Sequence, residues 1–133
     1  MWINARNVSI NDLHVLFQLN DLLDAEELAD VYIDNEESCF GVYHNKKCVG
    51  YLLAQKNSDS CHIRHFFVAE IKEKMKTSQF LHKAFEDYVD KNKIQNISID
   101  MKSTDRDIIN FFLSKGYIKE EPEVFLRKEW RGL

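Results

Sequence analysis

The second half of the chain shows a hydrophobic pattern with the period of an α-helix. Its apolar positions are Phe80, Leu81, Ala84, Phe85, Tyr88 and Val89. These positions lie on one face of a helix that turns every 3.6 residues, roughly. Thr77 or Ser78 stands where a side chain commonly caps the first turn. The pattern therefore predicts an amphipathic helix that starts after one of these two residues.

A strand, a second helix and a last strand are predicted after it. Residues 97–101 are typical of a strand, and the apolar stripe of the next helix is Ile108, Ile109, Phe112 and Leu113. Thr104 and Asp107 are spaced as a capping box, and Gly116 stands where a glycine commonly ends a helix. Residues 124–128 form the last predicted strand, beyond the turn at Pro122.

The first half changes from helices to consecutive strands. A short strand is predicted at 2–6, followed by helices at 10–20 and 25–32. Strands at 39–44, 48–55 and 61–68 are separated only by turn-forming residues. Because no helix lies between them, we expect these three strands to be antiparallel neighbours.

The order of elements predicts one α/β domain over residues 1–133. That order is β-α-α-β-β-β-α-β-α-β-β, in which an antiparallel first half meets a parallel strand–helix–strand crossover. Such a mixed sheet carries helices on its faces. The length of 133 residues suits a single core, since domains usually have about 100–200 residues.

Composition and charge narrow the function classes. The formal net charge of −4 gives no overall basic field for nucleic acid. The longest apolar runs, such as 49–54, are far shorter than the roughly 20 residues that span a bilayer. Three cysteines without a C-x-x-C pair favour buried thiols in a reducing compartment, so a cytoplasmic location is expected. His14, His44 and His82 have no metal-ligand spacing, and no metal is expected.

The element order and the segment 66–116 resemble the GCN5-related N-acetyltransferase (GNAT) superfamily. The best local match is the helix DRDIINFFLSKGY at 105–117, with its aromatic pair, its glycine and the aromatic residue after the glycine. The resemblance implies the acyl-CoA N-acyltransferase fold. It also implies transfer of an acetyl group from acetyl-CoA to a primary amine of a small molecule or a protein. Transfer would be direct, in a ternary complex that mainly positions its two substrates.

The resemblance also implies the coenzyme-binding residues. Phe66 and Val68 would contact the pantetheine arm through the strand backbone, and the segment Lys74, Met75, Lys76, Thr77 and Ser78 would hold the diphosphate. A helix N-terminus offers free N–H groups and a positive dipole end to such an anion. The family has Arg or Gln at the first motif position, glycine at the second and glycine or alanine at the third. Here Glu73, Lys76 and Ser78 stand at these positions.

Two positions bear on proton transfer. His65 is the candidate general base for the amine, because histidine titrates near neutral pH. Strand alternation predicts that His62 faces the opposite side. The family often has a tyrosine as general acid in the late helix, and Phe112 at that position has no proton to give. We expect Phe112 to be a core aromatic residue.

An acidic segment and a second function class remain open. Residues 21–37 contain eight Asp and Glu residues and no Lys or Arg. These acids are either a solvated surface or an attraction for a cationic amine acceptor. Because the motif glycines and the tyrosine are missing, the alternative to an enzyme is a non-catalytic binding module of the same fold. A second copy of the chain is a candidate partner in either case.

Overall fold

The computed structural model describes residues 3–9, 25–44, 47–69, 74–100, 106–119 and 125–129. The strands are β1 (Ile3–Asn7), β2 (Cys39–His44), β3 (Lys47–Asn57), β4 (Ser60–Val68), β5 (Asn96–Asp100), β6 (Ile118–Lys119) and β7 (Phe125–Glu129). The helices are α1 (Ala25–Ile33), α2 (Lys74–Lys91) and α3 (Arg106–Ser114), and a 3₁₀ turn covers Glu36–Ser38. The helix predicted at 10–20 lies outside the described residues.

The strands form one mixed sheet in the order β1-β2-β3-β4-β5-β7-β6. The pairs β1–β2, β2–β3 and β3–β4 are antiparallel, and β4 is parallel to β5 with α2 between them in sequence. β7 then returns antiparallel between β5 and β6. The predicted mixed sheet, with its antiparallel first half and parallel crossover, is confirmed.

Helices cover both faces of this sheet. On one face α2 and α3 bury Leu81, Phe85 and Phe112 against strand residues such as Ile63 and Ile97. On the other face α1 contributes a smaller cluster. That cluster contains Val8, Val31, Tyr32, Cys39, Tyr43, Cys48, Tyr51 and Leu53. Strands β2 and β3 therefore send side chains to two separate cores.

A β-bulge interrupts β4 close to the point where it leaves β5. Leu53 pairs with His65 and Ala54 pairs with Ile63, so Arg64 is an extra residue in β4. The parallel pairing of β4 with β5 ends at Ile63 and Ile99. Among the described residues, the β5 side of β4 therefore has no paired strand after Ile63. Residues 64–68 of β4 thus continue beyond its described pairing with β5, and we refer to this β5-side edge of β4 as the cleft.

Helix α2 begins earlier than the sequence pattern predicts. Its first helical residue is Lys74, so Thr77 and Ser78 lie inside the helix and are buried. The prediction that one of them caps the helix is therefore wrong. Without a glycine between 74 and 78 to break the helical conformation, the chain gains an additional first turn.

Candidate functional site

The first turn of α2 lies beside the end of β4 at the cleft. Val68 pairs with Gly50, and a Cβ atom at Gly50 would lie 3.0 Å from the Phe67 carbonyl oxygen and 3.2 Å from Thr77 Cγ2. The absence of a side chain at Gly50 thus permits the close approach of α2 to the sheet. This contact places the N-terminal part of α2 next to the end of β4 at Val68.

The predicted diphosphate-binding segment forms this first turn. The N–H groups of its first residues, Lys74, Met75 and Lys76, have no acceptor within the helix. Met75 and Lys76 are exposed, and the side chain of Lys74 is half-buried. Thr77 and Ser78 are buried, and within the described part of the chain the Ser78 hydroxyl has no hydrogen-bond partner. The N–H groups and lysine side chains that an anion could meet are therefore at residues 74–76, directly before Thr77.

An ion pair joins the N-terminal ends of α2 and α3. Lys74 Nζ lies 3.6 Å from Asp107 Oδ2, and Asp107 is in the first turn of α3. No pattern in the sequence indicates this contact, because the two residues are 33 positions apart and belong to different helices. The lysine expected to meet the coenzyme therefore already has an acidic neighbour.

Aromatic side chains connect β4 to α3 beneath the cleft. The ring of Phe66 is 5.0 Å from that of Phe112 in an edge-to-face arrangement and 6.5 Å from that of Phe111. Phe112 is fully buried, which confirms that it is a core aromatic residue. Its ring has no hydroxyl, so it cannot protonate a leaving thiolate. Phe66 and Val68 themselves are buried, with 7% and 8% of their surface exposed.

A buried histidine that the sequence pattern does not single out lies next to these rings. His82, only 1% exposed, has its ring 5.6 to 5.9 Å from those of Phe111, Phe112 and Tyr117. Its Nε2 lies 3.2 Å from Tyr117 Oη, within hydrogen-bond distance. Burial, with smaller contributions from Lys115 and Lys128, lowers the pKa of His82 to about 3. His82 is therefore neutral at physiological pH.

His65, the candidate general base, lies on the face of the sheet that α1 covers, opposite to α2 and α3. His65 is half-buried and pairs with Leu53, whose side chain belongs to the core under α1. His62 pairs with Gln55, two positions from Leu53, so His62 and His65 share this face. The prediction that they face opposite sides is wrong, because the extra residue Arg64 shifts the alternation. His62 is held by Ser98, whose Oγ lies 2.6 Å from its Nδ1.

Part of the acidic segment lies near the start of β4, at the opposite end of this strand from the N-terminus of α2. Asp34, Glu36 and Glu37 line a cavity of about 300 Å³ together with Lys56 and Tyr88. Lys56 pairs with Cys61 at the start of β4, whereas the N-terminus of α2 lies beside the end of β4 at Val68. Cys61 and Val68 are seven residues apart, which corresponds to about 23 Å along the strand. Asp34, Glu36 and Glu37 therefore lie at the opposite end of β4 from the N-terminus of α2, and the attraction of the acidic segment for a cationic acceptor stays a prediction.

The cysteines are buried, as predicted. Cys39, Cys48 and Cys61 are free thiols with at most 2% exposure. Burial raises the pKa of both Cys39 and Cys61 to about 12, which keeps them protonated and unreactive. Within the described part of the chain, no group of three or more potential ligands could hold a metal ion. Over the same residues, no helix has the length and apolar character needed to cross a membrane.

The family is shown by a match to the model described as "Acetyltransferase (GNAT) domain", which covers residues 15–128. The chain therefore belongs to the GNAT acetyltransferases. This family uses acetyl-CoA, so the class of protein is an acetyl-CoA-dependent N-acetyltransferase. A search of curated proteins found no match.

Solved structures share the fold at low sequence identity. Ard1 from Thermoplasma volcanium is 16% identical with a TM-score of 0.83, and the alignment covers 98% of this chain and 99% of that one. Arabidopsis thaliana Naa50, in complex with the bisubstrate analogue CoA-Ac-MVNAL, is 20% identical with a TM-score of 0.80 and covers 98% and 100%. PaiA N-acetyltransferase from Thermoplasma acidophilum, in complex with coenzyme A, is 14% identical with a TM-score of 0.76 over 98% and 100%.

Proposed function

We propose that this protein binds acetyl-CoA in the cleft between β4 and β5 and transfers its acetyl group to a primary amine. The observation that carries this proposal is that the described pairing of β4 with β5 ends at Ile63 while β4 continues to Val68, beside the N-terminus of α2. The open edge of β4 offers backbone groups along its length, and the helix end offers N–H groups to an anion. Both features occur at the same end of the sheet.

The residues present fit the charge of the coenzyme. The diphosphate would meet the N–H groups of Lys74, Met75 and Lys76, with two lysine ammonium groups close by. The exposed side chains of Met75 and Lys76 leave the helix end accessible although no glycine is present. The buried hydroxyl of Ser78 is a further polar group without a partner in this turn. Phe66 and Val68 would line the pantetheine arm through their backbone, as the resemblance implies.

The chemistry needs few side chains. The amine nitrogen attacks the thioester carbonyl carbon, the carbon–sulfur bond breaks, and the coenzyme leaves as a thiol. Backbone N–H groups at the open edge of β4 can stabilise the oxyanion. His65 is our candidate to accept the proton from the amine, directly or through water. Because Phe112 cannot supply a proton, the thiolate would take one from solvent.

The amine would approach from the α1 side of the sheet. His65 faces that side, whereas Phe66 faces α2 and α3. The acceptor class stays a primary amine of a small molecule or a protein. Of the described acids, Glu26 and Asp30 are exposed residues of α1 on this side, and they would favour a cationic acceptor.

Thermal unfolding with acetyl-CoA tests the proposal. Coenzyme at 100 times its dissociation constant should raise the free energy of unfolding by about 2.7 kcal/mol and raise the Tm accordingly. Replacing both lysines of the diphosphate-binding segment, Lys74→Met with Lys76→Met, should reduce this Tm shift because it removes two positive charges. The matched control is Lys83→Met with Lys91→Met, which makes the same charge change further along α2.

Thiol release then tests turnover. The three native cysteines are buried, so a thiol reagent should detect mainly the released coenzyme. No Tm shift with millimolar acetyl-CoA would refute the proposal. If the Lys74/Lys76 variant and the Lys83/Lys91 control lose the Tm shift equally, the assignment of residues 74–78 to the diphosphate is refuted.

A non-catalytic binding module is the second candidate function. The observation that favours it is Phe112, which is buried where the family often has its proton donor. This candidate predicts no thiol release with any amine tested. Release above the rate of a protein-free control would exclude it.

A further inference from the structure

We propose that Asp107 is an internal counter-ion for Lys74, which the coenzyme must displace, so that this residue sets coenzyme affinity. The inference rests on the proposed function, since it assigns Lys74 to the diphosphate. The observation behind it is the 3.6 Å contact between Lys74 Nζ and Asp107 Oδ2. A carboxylate therefore lies beside an ammonium group that the coenzyme would use.

The two acceptors compete for the same ammonium group. A carboxylate oxygen and a phosphate oxygen both attract it, and each contact is strongest at short range. The diphosphate has more negative charge than one carboxylate. It can also accept from the N–H groups at the start of α2, which do not belong to the contact with Asp107. The diphosphate of the coenzyme should therefore displace Asp107 from Lys74 when it binds.

Displacement of Asp107 from Lys74 costs little free energy. Its side chain is 71% exposed, whereas that of Lys74 is 21% exposed, so water can solvate the released carboxylate. Asp107 is also in the first turn of α3, where the helix dipole stabilises a negative charge. The exchange therefore lowers coenzyme affinity by a modest factor and does not block binding.

The Asp107→Asn variant tests the inference by calorimetric titration with coenzyme A at low ionic strength. An exposed pair of this kind corresponds to a change in affinity of about 1.5- to 5-fold, and the variant should bind tighter by that factor. The effect should vanish when Lys74→Met is already present, since the competing contact is then gone. Pantetheine, which has no diphosphate, should bind both proteins equally.

Asp87→Asn is the matched control. Asp87 is similarly exposed at 65% and pairs with Lys83 on the same helix as Lys74, 2.9 Å from its ammonium group. This variant makes the same charge change and should leave coenzyme affinity unchanged. Tighter binding of coenzyme A by Asp87→Asn would show that net charge alone, and not the contact at Lys74, sets the affinity.

The remaining outcomes separate the two proposals. Unchanged or weaker binding by Asp107→Asn, with normal binding by the original protein, overturns this inference alone. Tighter binding that persists with Lys74→Met overturns it too, because the effect would then be a general field. No binding of coenzyme A by any of the proteins overturns the proposed function together with the inference.

Discussion

Replacing His82 should make the stability of this protein less sensitive to acid. The side chain is 1% exposed among three aromatic rings, and burial is the largest cause of the lowering of its pKa to about 3. In the unfolded chain the same group has its ordinary pKa of 6.5. Between these two values the unfolded state binds the proton more readily than the folded state. The free energy of unfolding must therefore fall as the pH falls through this window.

The size of the effect follows from the two pKa values. Between pH 7 and pH 5, linkage gives a loss of about 2 kcal/mol from this one residue. That is a large share of the roughly 5–15 kcal/mol by which small domains are stable. Glu86 Oε1 lies 3.4 Å from the buried Nδ1 and would partly offset the cost of a charged ring. The figure of about 2 kcal/mol is therefore an upper value.

Urea unfolding at the two pH values measures this loss. His82→Gln keeps a polar group near Tyr117 but does not titrate, so its loss should be smaller than that of the original protein by up to about 2 kcal/mol. Acids elsewhere contribute equally to both proteins and cancel in the difference. His62→Gln, in β4, controls for the removal of a histidine that is hydrogen-bonded to Ser98. Equal pH-dependent losses in the original protein and His82→Gln would refute the reasoning.

Two further predictions concern stability. Gly116→Ala should lower the free energy of unfolding by about 1–2 kcal/mol, because Gly116 has φ = 96° after α3, and Gly116→Asn should cost less. Equal urea midpoints for Gly116→Ala and the original protein would show that the conformation relaxes. Phe85→Ala should lower the free energy of unfolding by about 3–5 kcal/mol, since Phe85 of α2 is fully buried in the core. Phe80→Ala, on the same helix but only partly buried, should cost clearly less in the same urea measurement, and a similar cost would contradict this account of the core.

The regular elements could be predicted from the sequence because they depend on local patterns. The helical period in α2 and α3, and the strand-like segments with short turns from β2 to β4, are properties of neighbouring residues. Gly116 ends α3 as expected because only a residue without a Cβ adopts its conformation easily. The order of elements, together with the match in the late helix, indicates the family. These features indicate the class of protein, but the roles of His65 and of residues 74–78 stay predictions.

The tertiary structure decided the features that depend on contacts between distant residues. Arg64 becomes a bulge only through the pairing of β3 with β4, and this bulge brings His62 and His65 to one face. Lys74 meets Asp107 only because two helices pack side by side. Such contacts depend on how whole elements are placed against one another, and a local sequence pattern does not contain that information. The periodicity of the chain thus determined its elements, and their packing determined which side chains share a site.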